Sequence, residues 1–470
     1  MQSILPISCG LDIHKDTIEA CILIDRGYVE PEIIRNSFTT LRGDLAKLRD
    51  WLVSNGCNHV AMESTGVYWK PVYEILEEIE GINLCLVNAY HMRNLPGRKT
   101  DVKDAEWIAS LFMCGLLNKS FVPEKGIRDL REYTRFYKKL EQEKTRQVNR
   151  IEKFLQTHGF KLSSVLSSIV GVSSRRVLEI LCEKGQVSVF EVQMCLERGV
   201  KRSADEIAYA INGKLSAVSR ALLRELLDTL YAHEKQLKSL YSRMEIVSAP
   251  YAPAIALLDS IPGIDILAAN YVIAEIGVDM LQFAKAGNIV SWVGLSPKND
   301  MSAGTIKSKK LKKGNNYAKS VLVQCAWATI KVRNTRLSNW YWRNVGRLGK
   351  KKAIVAVARK LLRYIYAILS TGEVYNRQLD VADTIKNKAL KLESAKKHIS
   401  TLESKNAKPS VKIVAEDDST IGADKDDKPP VIPSKKSKGG QKSPNSIPQK
   451  AIAPEVPKKR GRPRKNLTSA

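Results

Sequence analysis

The chain has 470 residues, with 76 lysines and arginines against 49 acids, which gives a formal net charge of +27. At roughly 100–200 residues per domain, that length implies two to four domains, and a hydrophobic content of 44% excludes wholesale disorder. No stretch approaches the roughly 18–20 apolar residues of a membrane span, and eight scattered cysteines with no CxxC pair argue against a disulfide frame or a zinc site. The opening MQSILPISCG has neither a basic flank nor a cleavable apolar run, so a cytoplasmic setting and no membrane partner are expected. The positive excess calls for a polyanionic partner, nucleic acid first.

In chain order, ISCGLDIHKDTIEACILI (7–24) predicts two strands joined at His14-Lys15-Asp16. A third strand is expected near Glu32–Thr39 and a helix near Leu41–Ser54. An extended HVAMES (59–64), a helix from Val67 to Glu80, an apolar strand at 82–89 and a helix over Asp101–Cys114 follow. Leading strands and then alternating helices and strands describe a mixed α/β sheet covered by helices. The middle of the chain is helical. Leu223, Leu226, Leu230, His233, Leu237, Leu240, Met244 and Val247 alternate by threes and fours, an a/d seam with one polar position. That seam suits either a helical hairpin within the chain or a dimer. Residues 156–215 are expected to be helical as well.

A further compact region runs from about 250 to 380. There, residues 257–277 read as helix, tight turn at Pro262-Gly263, then helix, with another helix after Gly314 and an amphipathic one over 353–369. From about residue 386 onward, Lys, Ser, Pro and Asp dominate and no aromatic occurs, so disorder is expected.

Chemistry is expected first at the acids. Asp12 sits centrally in the first strand, between Leu11 and Ile13, where a carboxylate needs a partner. Glu63 closes another strand, and Asp101 and Asp104 share one face of a helix start, where they also suit capping. Four such acids at one pole of a sheet would repel one another unless cations neutralise them, and Mg²⁺ is the hard, oxygen-seeking ion that suits them. Two ions can clamp the attacking and leaving oxygens of a phosphodiester, with Mn²⁺ as a substitute.

Residues 7–118, through GLDIHKD, AMESTGVYW and NLPGRKTDVKDAEWIA, resemble the RuvC-type, ribonuclease-H-like domain of the insertion sequence 110 family of transposases, which includes the Piv DNA invertases. The resemblance implies a DEDD tetrad of metal-binding, catalytic acids at Asp12, Glu63, Asp101 and Asp104. Arg98 and Lys99, just before the last pair, are candidates for holding scissile phosphates. A second block, GLSPKNDMSAG (294–304) followed by a basic run to Asn315, reads as a polar loop carrying a serine and resembles the family's serine-bearing segment. It implies that Ser302 is a covalent nucleophile on DNA, although Ala303 stands where the family has Gly. Lys309, Lys310, Lys312 and Lys313 beside it are candidate phosphate contacts.

Ile261-Pro-Gly-Ile-Asp265 resembles a helix-hairpin-helix turn, but a carboxylate at Asp265 repels phosphate and favours a packing role. In the tail, KKRGRPRK (458–465) resembles an AT-hook, which would place Arg460, Arg462 and Arg464 in the minor groove of A·T-rich DNA.

The expected architecture is therefore a RuvC-like α/β domain over 1–120 and a helical, coiled-coil arm over 121–248. A mainly α C-terminal transposase domain over 249–385 and a disordered basic tail over 386–470 complete it. The resemblance, which covers roughly residues 7–375, implies a Mg²⁺-dependent DNA transposase or recombinase working through a phosphoserine intermediate. It further implies donor and target DNA, an element-encoded noncoding guide RNA and a homo-oligomer (dimer or tetramer) in a bacterial or archaeal nucleoid. Two rivals are a RuvC-like junction endonuclease that hydrolyses DNA and a non-enzymatic DNA-binding protein.

Overall fold

The computed structural model describes residues 3–27, 30–64, 66–88, 104–298, 300–302, 305–308 and 310–406. Strands β1 (Ile7–Ile13), β2 (Thr17–Ile24) and β3 (Glu32–Thr39) are followed by α1 (Arg42–Ser54). Then come β4 (His59–Glu63), α2 (Trp69–Leu76), β5 (Asn83–Val87) and α3 (Asp104–Met113). The sheet has the order β3-β2-β1-β4-β5. β1, β2 and β3 run antiparallel, while β4 and β5 are parallel to β1. This mixed order is compatible with a ribonuclease-H-like domain.

Alternation along β1 explains the layers, because successive side chains of a strand point to opposite faces. Cys9, Leu11 and Ile13 pack with Leu45, Leu48 and Leu52 of α1 and Val72 and Leu76 of α2. Ser8 and Gly10 face α3: Ser8 Oγ donates to the Ala109 carbonyl at 3.1 Å. A methyl group on Gly10 would lie 2.1 Å from the Ala105 carbonyl oxygen and 2.5 Å from the Ala109 nitrogen. Only glycine lets α3 come this close.

The arm is an antiparallel pair of long helices, α4 (Lys125–Thr157) and α8 (Ala217–Ser248). The start of α4, through Ile127 and Leu130, shares a core with Met244 near the end of α8. Its far end, through Ile151 and Leu155, shares another with Leu223, Leu227 and Leu230. The α8 stripe is thus covered within the chain, the hairpin alternative for this seam. The buried position is Leu227, with Leu226 only partly buried. His233 lies on the stripe, and its Nδ1 is buried without a hydrogen-bond partner among the described residues. Between the long helices, α5 (Val172–Lys184), α6 (Val189–Cys195) and α7 (Ala204–Ala210) form a small tip, with capping boxes at Ser188/Glu191 and Ser203/Glu206.

The rest is helical apart from one hairpin: α9 (Ala252–Asp259), α10 (Ile266–Ile276), α11 (Ala286–Val293), β6 (Asp300–Ser302) and β7 (Thr305–Ser308). Then follow α12 (Asn316–Lys331), α13 (Arg336–Leu348) and α14 (Lys350–Thr371). Their shared core includes Ile273, Leu322, Leu361, Leu362 and Ile365. A last helix, α15, spans Gln378–Asn406. This corrects the expected onset of disorder at 386, since residues 386–406 are helical. Among the described residues, no helix is long and apolar enough to cross a membrane.

Candidate functional site

The pairing of β1 with β4 sets the acidic pole. Leu11 is registered with Met62 in this parallel pair, so the next residues, Asp12 and Glu63, stand side by side. Both occupy the face that Gly10 and Ala61 share, the α3 face, at the carboxyl ends of their strands. Asp12 is thus the penultimate residue of the central strand rather than its middle. α3 runs back along β1, with Ala105 over Gly10 and Ala109 over Ser8. Its first residue, Asp104, therefore projects toward the same end as Asp12 and Glu63. All three are partly buried. Asp12 Oδ2 lies 3.2 Å from His14 Nε2. Glu106, also in the first turn of α3, is held elsewhere by Arg35 at 2.5 Å.

Asp101, Arg98 and Lys99 lie outside the described residues. Among the described ones, no three of His, Cys, Asp and Glu come together tightly enough to hold a metal ion. The donors that share the pole are carboxylates, the chemistry a hard divalent cation takes. They also stand at a helix N-terminus, whose positive end tempers their mutual repulsion.

The second block is a β-hairpin where a plain polar loop was expected. Ser302 pairs with Thr305 and Met301 with Ile306, with an irregularity between Asp300 and Met301. The ladder continues below through Lys298 N to the Lys310 carbonyl at 2.9 Å and Lys312 N to the Ser296 carbonyl at 3.0 Å. At its base, a methyl on Gly314 would lie 2.5 Å from both the Gly294 nitrogen and the Trp292 carbonyl oxygen, so the two chain segments are clamped together. Ser302 is the last ladder residue before Ala303-Gly304, which lie outside the described residues. Lys310 and Lys313 are exposed. Lys312 Nζ reaches Ser291 Oγ at 3.5 Å. Lys309, Arg460, Arg462 and Arg464 are outside the described residues.

Sequence reasoning missed what braces this hairpin. Glu275, whose side chain is 3% exposed, accepts a bidentate pair from Arg135 of α4 at 2.8 and 2.9 Å. Asn315 Nδ2 donates to the same carboxylate at 2.5 Å. Asn315 Oδ1 also accepts from Tyr317 N and Ala318 N, capping α12 directly after the basic run. Arg131 donates to the carbonyls of Ala274 and Glu275 at 2.8 Å each. One buried carboxylate thus ties the arm helix to the foot of the serine hairpin. The signal was a single charged residue in the largely apolar helix ILAANYVIAEI.

The Pro262-Gly263 turn packs inward: a methyl on Gly263, at φ +94, would lie 2.4 Å from the Thr329 nitrogen of α12. Asp265 caps α10 by accepting from Ala268 N at 2.7 Å. The turn thus packs against α12.

Two family models match the chain. Residues 9–159, which contain all four acids, match a DEDD transposase model, and residues 255–342, which contain Ser302, match the model described as Transposase IS116/IS110/IS902 family. The chain is similar to the transposase for insertion sequence element IS1111A of Coxiella burnetii, 23% identical over 385 residues that cover 78% of this chain and 90% of that protein. It is also similar to the putative transposase y4rJ of Sinorhizobium fredii, 26% identical over 295 residues, 59% of this chain and 67% of that one. A second Sinorhizobium fredii protein, the putative transposase y4qE, is 28% identical over 189 residues, 33% and 48% of the two chains. With one model on the acid-bearing sheet and the other on the serine hairpin, the chain belongs to the IS110 family of insertion-sequence transposases.

Proposed function

We propose that the chain cuts and rejoins DNA through a covalent phosphoserine intermediate, with the acidic pole and Ser302 acting on one phosphodiester. The observation that carries this reading is the Leu11–Met62 register, which sets Asp12 and Glu63 side by side where α3 delivers Asp104. Asp12, Glu63, Asp101 and Asp104 would hold two Mg²⁺ ions (Mn²⁺ substituting), which supply charge neutralisation at the scissile phosphate. Arg98 and Lys99 steady its neighbours. The Ser302 hydroxyl attacks phosphorus: an Oγ–P bond forms and the P–O bond to the departing deoxyribose breaks. The hydroxyl proton passes to a carboxylate of the pole and returns to the departing oxygen, so charge and atoms balance. The phosphoserine conserves the bond energy that hydrolysis would lose, and attack by a new deoxyribose hydroxyl rejoins the strand.

The two blocks are separated in sequence by the arm, which suits a site shared between subunits of a dimer or tetramer. The α8 stripe is filled by α4, so association would use another surface. The family resemblance adds a noncoding guide RNA that pairs with donor and target DNA, and the +27 charge suits such a load. The AT-hook-like arginines 460, 462 and 464 would tether the tail to A·T-rich DNA in a bacterial or archaeal nucleoid.

The test denatures cleavage reactions and splits them with and without protease. DNA ends that enter the gel only after proteolysis, and vanish in Ser302→Ala, support the phosphoserine. Free ends in equal amount from both proteins would make the enzyme a hydrolytic nuclease and overturn the reading.

A further inference from the structure

Most of the chain's positive excess sits in one block. Between Met301 and Gly372 there are 17 lysines and arginines and no aspartate or glutamate. Five belong to the run beside the serine hairpin, and most of the others ride on α13 and α14. On α14 the apolar positions Ala353, Ile354, Val357, Ala358, Leu361 and Leu362 are buried, which turns Lys352, Arg359 and Arg363 outward, all exposed. Lys360 lies beside them, its Nζ 5.1 Å from the centroid of the Trp340 ring on α13. Burial first, and then Arg363, Arg336, Arg343 and Arg359, pull Lys360 below the ordinary lysine range, which reports how closely these cations crowd.

A merely solvated helix face would mix signs. Here Lys350, Lys351, Lys352, Arg359, Lys360 and Arg363 make no salt bridge among the described residues. Two acids of α15 are engaged beside α13. Asp380 Oδ1 accepts from Arg336 N at 2.8 Å and from the Tyr375 hydroxyl at 2.8 Å. Asp383 Oδ2 accepts from Asn339 Nδ2 at 3.3 Å. These six cations of α14, close together and without a salt bridge among the described residues, repel one another until a polyanion arrives. The spacing suits one: eleven residues from Lys352 to Arg363 rise roughly 16 Å, over which B-DNA carries roughly five phosphates per strand.

We propose that the outward face of α14, with Lys352, Arg359, Lys360 and Arg363 flanked by Arg336 and Arg343 of α13, is a docking surface for the phosphate backbone of duplex DNA. It grips DNA without reading sequence, and it lies in the same packed helical unit that carries the serine hairpin. The occupant is DNA because the proposed chemistry acts on DNA, so this inference rests on that reading. Contact is through charge to phosphate, which holds register and orientation while bases are read elsewhere.

The experiment measures binding of the full-length chain to a fluorescent DNA duplex of unrelated sequence by anisotropy across a salt titration, with an RNA duplex of the same sequence in parallel. The combined variant Lys352→Gln, Arg359→Gln, Arg363→Gln should weaken DNA binding at least tenfold. It should also flatten the slope of log K against log salt by about 2–3, since each lost phosphate contact removes roughly 0.9. Arg359→Lys with Arg363→Lys should keep the parent slope, showing that charge and not folding is at issue. An unchanged DNA slope in the Gln variant, or a loss confined to the RNA duplex, would overturn the proposal. Protein-linked DNA ends, assayed with the parent protein alongside, separate the two readings: their absence would overturn the phosphoserine chemistry while the salt slopes still judge this surface.

Discussion

Gly10 and Ala105 touch backbone to backbone: a methyl group on Gly10 would sit 2.1 Å from the Ala105 carbonyl oxygen. That contact is what brings the start of α3, and Asp104 with it, to the carboxyl end of β1. Gly10→Ala should therefore push α3 off the sheet, costing about 1–3 kcal/mol or more as an overpacked core does, and should reduce DNA cleavage beyond what lost stability explains. Gly43→Ala is the control: a methyl there meets nothing within 4 Å, and on helix α1 it should be neutral or stabilising by about 0.5–1 kcal/mol. Urea unfolding together with a cleavage assay checks both.

The Glu275 knot makes a second prediction. Glu275→Ala leaves the partly buried Arg131 and Arg135 beside no carboxylate and removes the acceptor of Asn315. Breaking a buried pair from one side costs about 3–5 kcal/mol. Glu275→Gln, which keeps an acceptor for Arg135 or Asn315, should cost less. Denaturant midpoints rank the three proteins.

His233 is the polar residue of the α8 stripe, with a buried Nδ1 that lacks a partner among the described residues. A buried, unsatisfied polar atom costs about 1–3 kcal/mol. His233→Leu should stabilise the arm and raise its melting midpoint by roughly 2–4 °C. An unchanged or lower midpoint in calorimetry would mean that the imidazole is better satisfied than its geometry shows.

The arm should also be acid-sensitive. Glu234 of α8 takes a bidentate pair from Arg175 at 2.7 Å each and lies 2.9 Å from Lys144 of α4. Arg175, and then Lys144, hold its carboxyl down at about 2 against the opposing effect of burial. A carboxylate depressed in the folded state stabilises fully above its unfolded value near ~4.3 and loses that contribution as pH falls toward the folded value. The parent should thus exceed Glu234→Gln by on the order of 2 kcal/mol at neutral pH. That gap should close as the pH approaches 2, as read from melting curves across the range.

How much of this was legible follows from the kind of contact involved. Strand periodicity placed β1, β2, β4 and β5 to within two residues or so, because alternation is a local signal. The Gly10–Ala105 approach is not local, so the strand and helix were readable while the pole they build was not. The serine hairpin was missed because Asp300–Ser302 and Thr305–Ser308 are very short and polar, and their pairing is set by the Gly294–Gly314 clamp below. In α8, spacing alone could not choose between Leu226 and Leu227, which are adjacent; packing against α4 buries Leu227. The absence of aromatics after Tyr375 suggested disorder from 386. Yet residues 373–408 contain no glycine or proline and are rich in Lys, Ala, Leu and Glu, all strong helix formers. Local propensity carried α15 to Asn406.

The most direct measurement is the chemical identity of the bond between enzyme and DNA. Stalled cleavage reactions can be digested with nuclease and protease, and the peptide that retains a nucleotide mapped by mass spectrometry. The account predicts a nucleotide on Ser302, lost in Asp104→Asn as completely as in Ser302→Ala. Efficient cleavage with the adduct on another side chain, or with no adduct at all, would contradict it.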